Sequence, residues 1–204
     1  LDRASTGIFN GDDSEVLSRV THWQGRKVFF SLDTPGPGEI GVVEELLVDR
    51  AFVSDPQEAA MIAELIDITP TVPHNVANAL AAAGLARAVG VSHEPIQLAL
   101  KNFKLGRHRI ENIFARDGID WIDDSKATNP HAAAASLLAT LSSIWIAGGI
   151  AKGADMADLI ARCKSRIKAA ILIGSDRDLI ASELRAQAPN VEIVYVDAPA
   201  TYQK

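Results

Sequence analysis

Cys163 is the only cysteine in 204 residues, so no disulfide framework can form within the chain. It falls in a helical pattern with Met156, Leu159, Ile160 and Ile167, which reads as a core thiol. Apolar residues make up 48% of the sequence, yet no run approaches the ~20 residues of a membrane-spanning helix. The opening LDRASTGIFNGDDS lacks the layout of a secretory leader. A formal charge of −6 leaves no basic excess for non-specific nucleic-acid binding, although local cations can still hold a phosphate. The histidines at 22, 74, 93, 108 and 131 show no metal-ligand spacing and there is no cysteine pair, so no protein-built metal site is expected. Together these absences lead to the expectation of a cytoplasmic protein with no membrane span and no nucleic-acid partner.

Two nucleotide-binding signatures are missing as well. No G-x-x-x-x-G-K-[ST] phosphate loop occurs, and its nearest imitation, Gly148-Gly149-Ile150-Ala151-Lys152-Gly153, has the wrong spacing and no hydroxyl residue after the lysine. Nor does G-x-G-x-x-G follow the first strand of the second half, which counts against a dinucleotide-binding module there.

What is present alternates strand with helix. Residues 7–10 and 27–31 read as short buried strands around a helix near 13–22, and Pro35-Gly36-Pro37-Gly38 as a loop. Residues 40–53 read as a hairpin, followed by a long helix after His74 and another over 94–103. Past a glycine-bearing junction at 104–107 the order becomes strand, strand, helix, strand, helix, strand, helix, strand, with Ser143–Ala147, Lys168–Ile173 and Val191–Val196 as β-rich runs. The fold class expected is α/β, in two partial domains over 1–106 and 107–204. The second is expected to be Rossmann-like, a mostly parallel sheet with helices on both faces.

The densest chemistry lies in Gly106-Arg107-His108-Arg109-Ile110-Glu111 and, past one hairpin, Asp123-Asp124-Ser125-Lys126-Ala127-Thr128-Asn129-Pro130. The run Ile119–Ile122 reads as a strand that ends in two carboxylates, a lysine and two hydroxyls. Asn129 and Pro130 suit the N-cap and first position of an alanine-rich helix. In an open α/β sheet such a strand end, facing a helix N-terminus, is where ligands bind. The plainer reading is a polar turn whose Asp and Ser cap backbone donors.

GRHRIE, DDSKATNPHAA, HNVANALAAAGLA at 74–86 and GGIAKGAD at 148–155 occur together, and the set resembles the Mur ligases of peptidoglycan synthesis, most of all the branch that adds D-glutamate. The resemblance implies an ATP-dependent, ADP-forming amide ligase acting through an acyl phosphate. It implies ATP, UDP-N-acetylmuramoyl-L-alanine and D-glutamate as small-molecule substrates, and Mg2+ bound through residues outside this chain. By that resemblance Asn75, Asn78, Arg109 and Asp124 contact ATP, Lys126 is catalytic, and Thr128 and Lys152 bind D-glutamate. The residue types suit those tasks: amides can donate to and accept from a purine, an arginine fork grips phosphate, and a carboxylate accepts from ribose hydroxyls.

Plainer roles remain open at each position: a helix cap for one asparagine, an Arg109–Asp124 ion pair, a packed and hydrogen-bonded His108, a solvated Lys152. Other Mur ligases, folylpolyglutamate synthetases, a non-catalytic Rossmann-like module and a protein-interaction module are the competing classes. Both pieces read as incomplete, the first as the later part of the family's central ATP-binding domain and the second as a truncated C-terminal domain. The 204-residue chain by itself is therefore expected to release no ADP from ATP in the presence of D-glutamate and the muramoyl substrate, because the cradle for the β- and γ-phosphates has no counterpart in the sequence. An ADP-release assay on the purified chain checks this, and turnover that depends on D-glutamate would overturn it.

Overall fold

Strand β1 (Thr6–Asn10) leads into helix α1 (Ser14–Val20), whose first free N–H groups are met by the Asp13 carboxylate through Glu15 and Val16. Strand β2 (Arg26–Phe30) then returns parallel to β1, with Ile8 opposite Val28. The structure is a computed structural model and describes residues 5–55, 57–149 and 155–197. The chain folds as two units, Leu1–Leu105 and Gly106–Lys204.

In the first unit β3 (Glu39–Val43) runs parallel to β2, while β4 (Leu46–Asp49) and β5 (Ala60–Glu64) continue the sheet antiparallel, in the order β1-β2-β3-β4-β5. Helices α2 (Pro73–Ala88) and α3 (His93–Asn102) complete the unit. Val28, Ile40, Leu47, Ile62, Leu80 and Ala83 are fully buried between sheet and helices. Gly84 permits the close approach of α2, because a Cβ there would lie 2.9 Å from Ile8 Cγ2 and 3.2 Å from Ile40 Cδ1. The sequence pattern did not anticipate β5. Ala60 and Ala63 have low strand propensity, and it is pairing with β4 that makes the segment a strand.

A single buried carboxylate ties the C-terminal end of β4 to both helices. Asp49 accepts from the backbone N–H groups of Ala51 and Phe52, each at 2.8 Å, and from Arg87 Nε at 3.0 Å, while His93 Nε2 lies 2.9 Å from its Oδ2. Arg87 also donates to the carbonyls of Phe52 and Val91. Burial pushes the Asp49 carboxyl up. The bonds from Phe52, His93, Ala51 and Arg87 outweigh that effect and hold it below the ordinary 3.8. A carboxyl whose folded pKa is depressed stabilises the fold above its unfolded pKa and loses that contribution as pH falls through the folded one. Asp49→Asn is expected to cost the first unit about 3–5 kcal/mol at neutral pH, since it leaves the half-buried Arg87 guanidinium without its anion. The gap from wild type should shrink below pH 3.8. Urea unfolding read by hydrogen exchange in β4 and α2 tests this, and equal stabilities at neutral pH would refute it.

The second unit opens with an antiparallel ribbon, β6 (Glu111–Arg116) and β7 (Ile119–Asp123), turning at Asp117-Gly118. Both turn residues have positive φ, +53° and +76°, as a two-residue hairpin turn of the primed type requires. Then follow α4 (Pro130–Leu138), β8 (Ser143–Gly148), α5 (Met156–Cys163), β9 (Ile167–Ile173), α6 (Arg177–Gln187) and β10 (Glu192–Tyr195). The three later strands form a parallel sheet in the order β10-β9-β8. Ala147, Ala170 and Leu172 share one buried cluster with Ala134, Leu159, Ile160, Cys163, Ile180 and Leu184, so all three helices meet the same sheet face.

The α/β class and the mostly parallel sheet of the second unit are as expected, and one detail differs. Helices cover one face of the parallel sheet, and Ile144, Ile146, Ile173 and Val194 on the alternate positions are exposed among the described residues. Among the described residues strand β7 pairs only with β6, in a two-stranded sheet separate from the parallel one. Its apolar alternation signals a strand without specifying a partner.

Candidate nucleotide and substrate site

The register of the ribbon sets Glu111 opposite Asp123, and this brings the two polar motifs together. His108 Nδ1 lies 2.6 Å from Asp123 Oδ2, and its backbone N–H donates to Glu111 Oε2 at 2.8 Å. The His108 carbonyl accepts from Lys126 N at 3.1 Å. Ile110 N donates to Asp124 Oδ1 at 3.2 Å, and Ser125 N to Asp123 Oδ1 at 2.9 Å. Beyond the ribbon, Ala127 N donates to the Asp124 carbonyl and Thr128 N to that of Lys126. Asn129 Oδ1 accepts from Ala132 N and Pro130 occupies the first turn, as the sequence predicts for the start of α4.

The hydrogen bond from His108 is the first cause that holds the Asp123 carboxyl down to about 2, with the Ser125 N–H next. Asp123 therefore remains anionic throughout the physiological range. Donor atoms of His108, Glu111 and Asp123 lie within 4.8 Å of one another, a grouping with metal-ligand geometry that sequence spacing did not suggest. It arises because antiparallel pairing folds distant positions together. Each member already holds a hydrogen bond inside the group.

The predicted residues fall into two sets. In the second unit Arg109, Lys126 and Thr128 are exposed, and their side chains have no hydrogen bond or ion pair among the described residues. Asp124 is half-buried, with Oδ1 engaged by Ile110 and Oδ2 without a hydrogen bond among the described residues. No ion pair joins Arg109 to Asp124, so that alternative is not formed. Lys152 lies outside the described residues. In the first unit neither asparagine caps α2, whose N-cap position is Val72. Asn75 is buried and donates Nδ2 to the Pro70 carbonyl at 3.0 Å, and Asn78, three residues on, is exposed. Sequence reasoning missed Asp123 as a partner for His108. The available signal was the Asp117-Gly118 turn, which fixes the ribbon and hence the pairing.

The architecture defines an α/β protein whose second unit joins a parallel sheet to a polar loop cluster. Residues 108–203 match the Mur ligase, glutamate ligase domain. A UDP-N-acetylmuramoylalanine–D-glutamate ligase from Thermobifida fusca is 54% identical over 170 residues, which is 83% of this chain and 37% of that protein. One of the same name from Streptomyces coelicolor is 52% identical over 177 residues, 86% of this chain and 38% of that protein. Among solved structures, a murein peptide ligase from Psychrobacter arcticus aligns over 97% of this chain and 44% of its own, with a TM-score of 0.64 and 15% identity. MurF from Acinetobacter baumannii aligns over 100% of this chain and 50% of its own, with a TM-score of 0.61 and 19% identity. At those identities the structural likeness speaks to the fold alone.

The chain belongs to the Mur ligase family. It spans less than two-fifths of the length of the two curated relatives just described.

The pairing with His108 generates a direct expectation. Asp123 should titrate at about 2, and His108→Ala should raise it toward the ordinary 3.8. Carboxyl-carbon NMR of the chain between pH 1.5 and 6 would read both values, on the order of a unit apart or more. A midpoint that ignores the substitution would show that the contact does not govern Asp123.

Proposed function

We propose that this chain is part of an ATP-dependent, ADP-forming ligase that joins D-glutamate to UDP-N-acetylmuramoyl-L-alanine during peptidoglycan synthesis in the cytoplasm. One observation carries the reading: in a chain 54% identical to a ligase of that name, the GRHRIE and DDSKATN loops are bonded to each other and leave Arg109 and Lys126 as unpaired cations among the described residues. On this reading the first unit is the later part of the central ATP-binding domain and the second is the C-terminal domain, with the boundary at 106–107.

Joining a carboxylate to an amine requires an activated acid, and bound ATP supplies the phosphoryl group that converts the acceptor carboxylate into an acyl phosphate. The tasks left to the protein are holding the nucleotide, offsetting phosphate charge and orienting the amine. The residues present fit such a ligand. Asp124 keeps Oδ2 available for a ribose hydroxyl, and Arg109 has its whole fork available for phosphate oxygens. Asn78 can turn its exposed amide to a purine, whereas Asn75 has committed its NH₂ to Pro70 and offers its oxygen. Lys126 offsets charge on the transferring group, Thr128 orients D-glutamate through its hydroxyl, and Lys152 pairs with one of its carboxylates. Mg2+ accompanies ATP, and no side chain of this chain is assigned to it.

Two substitutions in the full-length protein separate nucleotide from amino-acid recognition. Asp124→Ala should chiefly raise the KM for ATP, with a loss of about 1–3 kcal/mol for a charged hydrogen bond. Lys152→Ala should chiefly raise the KM for D-glutamate, and Lys152→Arg need not restore it, because a fork and a point charge fill a cleft differently. Both Michaelis constants are measured for each variant after circular dichroism confirms folding. Small, equal changes throughout would mean that the two side chains are merely solvated.

A further inference from the structure

His108 is tied to its surroundings at three points. Its N–H goes to Glu111 at the start of β6, its ring to Asp123 at the end of β7, and its carbonyl to the N–H of Lys126 in the loop beyond. Two residues on, the Ile110 N–H is taken by Asp124. Arg109 is thus bracketed: the residue on either side of it is pinned to the DDSK segment, while its own side chain stays exposed and without a partner among the described residues. The brackets hold the backbone in an uncommon shape, with φ of +66° at His108 and +48° at Ile110, a region that a β-branched residue such as Ile110 rarely enters. A backbone held there by named contacts has been shaped by its surroundings rather than by local preference.

We infer that His108 is a positioning residue, the pin of a latch whose other half is Asp123, and that the latch sets where Arg109, Asp124 and Lys126 present their side chains. The inference rests on the ligase reading for its kinetic consequence and on geometry alone for the latch. The same grouping does not behave as a vacant cation site. The His108 ring contacts Asp123 directly at 2.6 Å, and Glu111 is occupied by the His108 N–H. Charge favours the latch too, since Asp123 stays ionised and accepts from the ring and from Ser125 at once.

Three substitutions separate the ring's role from that of the backbone. His108→Gly relieves the positive φ but removes the ring. His108→Asn tolerates the same φ and returns an amide donor close to the place of Nδ1. Asp123→Ala removes the partner from the other side. In the full-length protein His108→Gly and Asp123→Ala should each lower kcat/KM for ATP by about tenfold to a hundredfold, the scale of a misplaced catalytic group, with little change in KM for the muramoyl substrate. His108→Asn should recover most of that loss.

Amide exchange at Ile110 and Lys126, whose bonds the latch secures, should quicken in the first two variants and return toward wild type in the third. Wild-type exchange in His108→Gly, or an Asn variant as impaired as the Gly variant, overturns the latch. If the wild-type full-length protein fails to form ADP with D-glutamate, the ligase reading falls, and the exchange pattern still decides the latch.

Discussion

The candidate site depends on the register of a short antiparallel ribbon. Because Glu111 pairs with Asp123, the ends of the two strands carry both polar motifs to one place, and His108 can span fifteen positions of sequence to reach its partner. A slip of one residue would turn each side chain to the opposite face and part the motifs. The turn at Asp117-Gly118 guards against that slip, since few other pairs take positive φ at both central positions. An irregularity between Asn112 and Phe114 adjusts the ladder before it reaches the motif end. The large apolar side chains of the ribbon, Phe114 and Trp121 among them, are exposed, so strand pairing and the bonds at its polar end carry much of its local order.

Both units use a carboxylate as the junction of several donors, with different consequences. Asp49 is buried, and four donors from the end of β4, α2 and α3 converge on it, so its ionisation is inseparable from the packing of the first unit. Asp123 is only partly covered and holds a loop rather than a core. In each case hydrogen bonds to the charged form keep the acid ionised. The acids and bases bonded to one another hold the architecture, while Arg109 and Lys126 beside the ribbon remain unpaired among the described residues.

Much of this architecture was legible from residue order. The runs read at 143–147, 168–173 and 191–196 alternate with helical patterns and form a parallel sheet, and Asn129-Pro130 opens α4 as its residue types suggest. Strand β5 was not legible, because Ala60 and Ala63 carry no strand preference and the segment is recruited by β4. The sheet face left exposed among the described residues was not legible either. Ile144, Ile146 and Val194 are as apolar as residues beneath a helix, and hydrophobicity says that a face can be covered without saying by what.

The sequence by itself determined the local vocabulary of this protein: its strands and helices over most of the chain, the glycine-bearing turn, the cap of α4, and the charged and hydroxyl-bearing residues gathered in its two motifs. Those properties depend on neighbours within a few positions, where backbone preference and side-chain spacing act. Only the tertiary structure decided which polar residues would engage one another. Whether Asp124 pairs with Arg109 or accepts from Ile110, and whether His108 stands free or locks to Asp123, depends on distances set by cross-strand register. Electrostatic and hydrogen-bond energies fall steeply over a few ångströms, and no pattern along the chain encodes a separation of that size.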